Sequence, residues 1–269
     1  MVIPNVKPSF MLLFDFMEKE KTMTPEEKFM FDLQGYILIK NVLSQEEVDE
    51  LNTISNEKLV DQEEVNGLKI PRKVSLWGKP FQQLFDHPNI TPYLNELLGP
   101  QFRADHDYGI FMRRGGSKGG LHGGDHRAGD HWYKYRDGVM RNGLTVVVYF
   151  LAPVPEGAGG FCCVPGSHKS NFPLNVPKEV RSFERVPHYL ANPSAETGDA
   201  LIFTEATMHG TLPWTAENDR RTLLYKFSPG HSSWSLKYYN HDDYDDLTEQ
   251  QKRVLAPPSM RRPDTVELA

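Results

Sequence analysis

The chain has 269 residues and a formal net charge of −6, from 30 Lys and Arg against 36 Asp and Glu. With 39% hydrophobic and 25% charged residues, its composition is that of an ordinary folded protein. General affinity for nucleic acid or for an anionic membrane requires dense positive charge, which this mildly acidic chain lacks. We therefore expect neither nucleic acid nor a membrane among its partners.

Two features bear on the cellular compartment. The two cysteines, Cys162 and Cys163, are adjacent, and neighbouring residues of a strand point to opposite faces, so we expect no disulfide and a reducing environment. The apolar run 10–14 is interrupted by Asp15, is too short to span a bilayer, and is followed by no signal-peptide cleavage pattern. These observations predict a cytoplasmic protein.

The first hundred residues are predicted to be mostly helical. Thr24 and Ser44 are each followed three residues later by a glutamate, Glu27 and Glu47, which is the pattern of a helix-capping box. The run 36–39 between them predicts a strand, and the apolar face of 90–98 predicts a third helix that ends at Gly99.

From residue 102 onward, short apolar runs alternate with Gly and Pro. They predict strands at 108–112, 144–151, 160–164, 200–203 and 222–227, and such spacing is typical of an antiparallel sandwich or barrel. A further helix is predicted over 248–255. We expect one domain over 1–269, mainly β with flanking helices. Its helical part covers about 1–100, its β-core about 101–235 and a C-terminal extension 236–269, of which the last ten residues form a loose tail.

The densest polar feature is the glycine-rich run 115–131. It contains three histidines and two aspartates, which are His122, His126, His131, Asp125 and Asp130. Taken alone, this run is equally compatible with a solvated loop and with a ligand-binding loop, because its glycines let the backbone bend and approach a bound group.

Three stretches together resemble the phytanoyl-CoA dioxygenase family of iron(II)- and 2-oxoglutarate-dependent oxygenases. They are His122 with its glycine-rich surroundings, the run 159–169 with its Pro-Gly-Ser-His-Lys segment, and the run 198–203 that leads to His209. Arg220 follows His209 after eleven residues, which is also similar to the family pattern. The resemblance spans roughly residues 28–230 and implies a double-stranded β-helix, the cupin-like jelly-roll.

The resemblance assigns a role to each of these residues. His122 and His209 would bind Fe(II), Arg220 would pair with the far carboxylate of 2-oxoglutarate, and Thr211 would add a hydroxyl hydrogen bond. Arg221 should point to the opposite face of its strand. The implied reaction uses O₂, converts 2-oxoglutarate to succinate and hydroxylates an aliphatic C–H bond of a small-molecule substrate.

One position departs from the family pattern of His-x-Asp or His-x-Glu, because Gly124 stands where the carboxylate ligand is expected. Asp125, one residue later, could reach the metal, since the glycines permit a tighter bend. Alternatively the position is vacant and chloride replaces the carboxylate, as in related iron halogenases, or the site has lost its iron and the fold only binds a ligand. Glu205, on the approach to His209, is a lesser candidate for the missing carboxylate.

We therefore expect an Fe(II)- and 2-oxoglutarate-dependent dioxygenase with His122, His209 and Asp125 as metal ligands. The same imidazoles and a carboxylate would also suit zinc in a non-catalytic β-roll, but such a site has no need of Arg220. Trp132, Tyr133, Tyr135 and Arg113 are candidates for the mouth of the site. The sequence indicates neither the substrate nor the oligomeric state.

Overall fold

The computed structural model describes residues 22–124, 131–172 and 175–263. Its helices are α1 (Pro25–Gln34), α2 (Gln45–Lys58), α3 (Lys79–Gln82), α4 (Thr91–Leu98), α5 (Lys178–Arg181) and α6 (Glu249–Leu255). Its strands are β1 (Tyr36–Ile39), β2 (Leu68–Lys69), β3 (Arg103–Met112), β4 (Lys118–His122), β5 (Tyr133–Arg136), β6 (Val139–Asn142), β7 (Thr145–Phe150), β8 (Gly160–Cys163), β9 (Ala200–Thr204), β10 (His209–Leu212) and β11 (Arg220–Ser228). Short 3₁₀ helices cover Val74–Trp77, Gln83–Phe85, Ser167–Lys169 and His241–Asp243. The apolar run 10–14, Asp125, His126 and Asp130 lie outside the described residues.

Antiparallel sheets form the centre of the molecule. The largest has six strands in the order β1-β9-β7-β11-β3-β2, a second has three in the order β4-β10-β8, and β5 pairs with β6 in a separate hairpin. The mainly β architecture with flanking helices agrees with the fold class predicted from the sequence.

The predicted helix starts are confirmed by their capping geometry. Thr24 and Ser44 each accept a hydrogen bond from the backbone amide three residues on, and the glutamates there accept one from the cap amides. Strand β1 follows α1 directly and pairs with β9, so the mostly helical part of the chain contributes an edge strand to the large sheet.

Strand β11 lies between two apolar layers. Leu223, Tyr225 and Phe227 pack into the core that includes the helices, whereas Leu224 packs into the core on the other face. Because side chains alternate along a strand, Arg220 and Lys226 share the face of Leu224. Arg220 and Lys226 therefore point toward the side of the large sheet on which the smaller sheet packs.

Several strands were not predicted from the sequence. The glycine-rich run treated as one loop contains β4, and β2, β5, β6 and β10 were also missed. Their glycines and polar residues have weak strand propensity, and pairing with distant strands outweighs this local preference. The two cysteines are free, as expected. Within the described ranges, no helix is long and apolar enough to cross a bilayer.

Candidate functional site

His122 and His209 are cross-strand partners. His122 ends β4 and His209 begins β10, and the register places them directly opposite each other. Their rings lie with centroids 4.3 Å apart. His209 is buried against the rings of Phe203 and Phe161, whereas His122 is exposed. The small sheet thus brings together the two imidazoles that the sequence singled out.

The hydrogen bonds of both rings leave the same nitrogen available. Nδ1 of His209 lies 2.7 Å from the backbone oxygen of Thr207, and Nδ1 of His122 lies 3.2 Å from that of Gly120. A carbonyl oxygen only accepts hydrogen bonds, so Nδ1 carries the proton in each ring and Nε2 carries the lone pair. Burial lowers the pKa of His209 to about 4, so this imidazole is neutral at pH 7. An imidazole whose Nδ1 is bonded to a backbone oxygen in this way is typical of metal ligands.

The third ligand expected from the sequence, Asp125, lies outside the described residues. Among the residues that are described, no three His, Cys, Asp or Glu side chains converge closely enough to enclose a metal ion. Gly124 has a φ of +70° and, with Gly123, continues the chain after His122 without a side chain. The described part of the site therefore holds two imidazoles from the predicted ligand set.

Arg220 is a buried cation without an anionic partner in the described part of the chain. Its side chain lies next to Gly160 of β8, and one guanidinium nitrogen lies 3.3 Å from Met112 Sδ. No described group accepts a hydrogen bond from its Nε. Burial lowers the pKa of Arg220 to about 10, which still leaves the guanidinium charged at neutral pH. An unpaired buried charge is costly, so this environment suits a carboxylate brought by a ligand.

Thr211 shares strand β10 with His209. It is buried on β10, two residues after His209 and therefore on the same strand face. Gly160 pairs with Leu212, the next residue of β10, and a Cβ at Gly160 would lie 3.1 Å from Nε of Arg220. Two strand residues span about 7 Å, comparable to the length of a five-carbon dicarboxylate. Arg221 turns away and contacts Asn52 on the opposite face, as predicted.

A buried ion pair adjoins His209. Glu205, only 2% exposed, accepts a hydrogen bond from Nζ of Lys226 at Oε1, with a distance of 2.5 Å. Its other oxygen, Oε2, lies 3.6 Å from Nε2 of His209 and 3.8 Å from Nε2 of His131. Burial alone would raise the pKa of Glu205, but the ammonium of Lys226 outweighs it and holds this pKa far below its usual range. The site therefore contains an ionised carboxylate.

The edges of the site carry aromatic and basic residues. Trp234 stacks on His131 with ring centroids 4.6 Å apart, and it also lines a cavity of about 410 Å³ with Arg72 and His106. A second, open depression of about 520 Å³ is lined by His122 and by Lys178, Arg181 and Ser182 of α5 and its end.

Two of the four residues suggested for the mouth, Tyr133 and Arg113, make other contacts. Tyr133 is buried, packs against His168 and donates a hydrogen bond to Asp32, and Arg113 forms an ion pair with Glu64. These two side chains serve the packing of the fold and its surface charge.

Glu205 and Trp234 contribute more to the site than the sequence indicated. Lys226 offered a signal for the ion pair, because it is a lone lysine in the apolar strand run 222–227 on the same alternating face as Arg220. The contact between Trp234 and His131 carried no local signal.

The profile of the family described as Phytanoyl-CoA dioxygenase (PhyH) matches residues 31–222. The match covers well over half of the chain, so the chain belongs to this family. A search of curated proteins finds no match.

Solved enzymes share the fold. HygX from Streptomyces hygroscopicus with nickel and 2-oxoglutarate bound matches with a TM-score of 0.72 and 22% identity, over 79% of this chain and 89% of HygX. HygX with nickel, 2-oxoglutarate and hygromycin B bound matches at 0.66 and 19% identity, over 90% and 98%. The non-heme alpha ketoglutarate dependent epimerase SnoN from nogalamycin biosynthesis matches at 0.58 and 18% identity, over 76% and 82%. The predicted jelly-roll fold is thereby confirmed.

Proposed function

We propose that the protein is an Fe(II)- and 2-oxoglutarate-dependent oxygenase that hydroxylates an aliphatic C–H bond of a small molecule. The observation that carries this proposal is that Arg220 is a buried cation without a described anionic partner. It lies next to Gly160, which pairs with the far end of β10, the strand that begins at His209. A zinc site made from the same histidines would leave that charge unexplained. Both the donor set and the orphaned cation fit the metal with its dicarboxylate co-substrate.

Different residues of the chain would bind the metal and 2-oxoglutarate. His122 and His209 would hold the metal through Nε2, since Nδ1 of each ring is bonded to the backbone. Arg220 would bind the far carboxylate of 2-oxoglutarate, with Thr211 adding a hydroxyl donor. Asp125 remains the sequence-based candidate for the third metal ligand. Fe(II), when bound with 2-oxoglutarate, supplies oxidation of a C–H bond by O₂, coupled to conversion of 2-oxoglutarate to succinate and CO₂.

The surroundings prepare the site for this chemistry. Phe161 and Phe203 cover the buried side of His209 and exclude water from it. The open depression beside His122 offers a small-molecule substrate an approach to the metal. The chain's residues thus bind the co-substrate on the inner side and leave the outer side to the substrate.

A chloride-dependent halogenase is a second candidate, favoured by Gly124 at the position of the usual carboxylate. In that reaction chloride would supply the negative charge near the metal. The two candidates differ in whether turnover and the metal spectrum depend on chloride.

Production of succinate from 2-oxoglutarate tests the function without a known substrate. We expect slow Fe(II)-dependent succinate formation by the wild type, its loss in His209→Ala and its strong reduction in Arg220→Ala. Equal rates with and without chloride would favour hydroxylation, and chloride dependence would favour halogenation. Succinate formation that persists unchanged in His209→Ala would refute the assignment.

A further inference from the structure

The chain segment after His122 packs directly on the loop between β9 and β10. Gly123 has a φ of +79°, and a Cβ there would lie 2.7 Å from the backbone oxygen of Thr207 and 2.8 Å from that of Glu205. Only glycine allows this approach. The position that lacks a carboxylate, Gly124, therefore immediately follows a residue in contact with the loop that carries Glu205.

The two oxygens of Glu205 face different partners. Oε1 accepts the hydrogen bond from Lys226 at 2.5 Å, which keeps the carboxylate ionised. Oε2 faces Nε2 of His209 at 3.6 Å and Nε2 of His131 at 3.8 Å, and both distances are too long for a hydrogen bond. Because Nδ1 of His209 holds the ring proton for Thr207, two lone-pair atoms face each other. Such an arrangement is favourable when a cation lies between them.

We propose that Oε2 of Glu205 is the third protein ligand of the metal, taking the place of the carboxylate missing at Gly124. This inference rests on the proposed function, which supplies the metal. Ligand atoms at right angles on a metal with bonds of about 2.1 Å lie about 3 Å apart. The observed 3.6 Å is somewhat longer. Metal binding at these two residues therefore requires Oε2 to approach Nε2 of His209 by about half an ångström. Among the described residues, no three candidate ligand side chains already lie close enough to enclose an ion.

Lys226 has a role both before and after metal binding, because it donates a hydrogen bond to Oε1 of Glu205. In the metal-free protein it neutralises a carboxylate that would be costly to bury alone. With the metal bound, it keeps Oε1 occupied, so Glu205 contributes one oxygen and leaves positions open for the co-substrate and O₂. Two imidazoles and one carboxylate oxygen then form the facial set typical of non-haem iron oxygenases.

The test is an anaerobic titration with Co(II), followed by its visible absorption and by calorimetry. In Glu205→Gln/Lys226→Met both charges of the pair are removed, so no unpaired charge is left buried. We expect Co(II) affinity to fall by about tenfold or more and the absorption bands to shift. Lys226→Met alone should bind Co(II) more tightly than the double variant, because it keeps the carboxyl group that the double variant replaces. Arg114→Met/Glu217→Gln, which removes an exposed ion pair and likewise leaves the net charge unchanged, should not differ from the wild type.

The outcomes separate the ligand from its alternatives. Unchanged Co(II) affinity in Glu205→Gln/Lys226→Met would overturn the inference, as would loss of Co(II) in Asp125→Asn with the double variant unaffected. If the double variant does not fold, Glu205→Asp decides, since it retains the charge for Lys226 but shortens the reach. Weaker Co(II) binding there supports ligation, and unchanged binding overturns it.

A separate measurement isolates the proposed function. Titration of 2-oxoglutarate into Co(II)-loaded wild type should show binding. Its absence, with Co(II) affinity still dependent on Glu205, would refute the oxygenase proposal and leave the ligand assignment standing.

Discussion

The imidazole rings of His122 and His209 lie opposite each other across β4 and β10, with centroids 4.3 Å apart. Each ring gives its Nδ1 proton to a backbone oxygen close by in sequence. Strand pairing therefore sets the distance between the rings, and local hydrogen bonds set which nitrogen is free. The fold itself therefore places the two imidazoles side by side and leaves Nε2 of each as the nitrogen that could bind a metal.

Replacing Arg220 should separate stability from co-substrate binding. Arg220→Met removes a buried unpaired guanidinium, so we expect the free energy of unfolding of the ligand-free protein to rise by about 1–4 kcal/mol. The same change should weaken 2-oxoglutarate binding by about 10- to 150-fold, because a charge-assisted bidentate pair contributes about 1.5–3 kcal/mol. Urea denaturation and calorimetry measure the two effects. Undiminished 2-oxoglutarate affinity in Arg220→Met would rule out its role.

A methyl group at Gly160 should displace the side chain of Arg220. Both Gly160 and Gly157 have positive φ, +76° and +71°, so an alanine at either position should cost about 1–2 kcal/mol of folding stability. At Gly160 the new Cβ would lie 3.1 Å from Nε of Arg220, whereas nothing lies within 4 Å at Gly157. We therefore expect Gly160→Ala to lose 2-oxoglutarate affinity and Gly157→Ala to keep it. Equal affinities in calorimetry would place the co-substrate elsewhere.

Asp105 holds in place the segment whose Trp234 stacks on His131. Its carboxylate accepts hydrogen bonds from the backbone amide of Trp234 at 2.9 Å and from buried Arg103 at 2.9 Å. Asp105→Asn leaves Arg103 buried without its counter-charge, so we expect a loss of about 3–5 kcal/mol in the free energy of unfolding. Urea denaturation at pH 7 measures it. A loss below about 1 kcal/mol would show that the carboxylate is not needed there.

The same carboxylate predicts a pH dependence. Burial raises the pKa of Asp105, but hydrogen bonds from His106 and Trp234 and the charge of Arg103 outweigh it, lowering the pKa from 3.8 to about 2. Between these values the unfolded chain binds more protons, so this contribution is fully present above pH 3.8 and is lost as the pH falls toward 2. The difference in stability between wild type and Asp105→Asn should shrink over that interval. A difference independent of pH would contradict it.

His126 and His131 are expected to be dispensable for iron. Two imidazoles, one carboxylate oxygen, a bidentate co-substrate and O₂ already fill six positions on the metal, so a third imidazole would leave no room for all of them. Iron stoichiometry of the anaerobically loaded protein should be unchanged in His126→Ala/His131→Phe, where the phenyl ring retains the stack on Trp234. Loss of iron in this variant, with His122→Ala unaffected, would move the ligand assignment along the glycine-rich segment.

Much of the fold follows from local sequence. The caps at Thr24 and Ser44 and the apolar runs of β7, β9 and β11 carry their own periodicity, so these elements were predicted within a few residues. Strands β4 and β10 form because they pair with each other. Their glycines and histidines show no strand pattern, and only pairing across the chain stabilises them.

The site divides in the same way. His122, His209 and Arg220 were singled out by motif order and spacing, and the structure brings the two histidines together and buries Arg220. The pairing of Glu205 with Lys226 joins a loop and a strand distant in sequence, and the contact of Trp234 with His131 depends on how the C-terminal segment folds back. Neither relation has a fixed spacing that a sequence pattern could reveal.

The visible spectrum of the anaerobic Fe(II)-loaded protein on addition of 2-oxoglutarate tests the central claim most directly. We expect a weak charge-transfer band that saturates with 2-oxoglutarate, is absent in His209→Ala and requires a higher co-substrate concentration in Arg220→Met. A protein that stays colourless at saturating Fe(II) and 2-oxoglutarate, or a band that persists in His209→Ala, would contradict it.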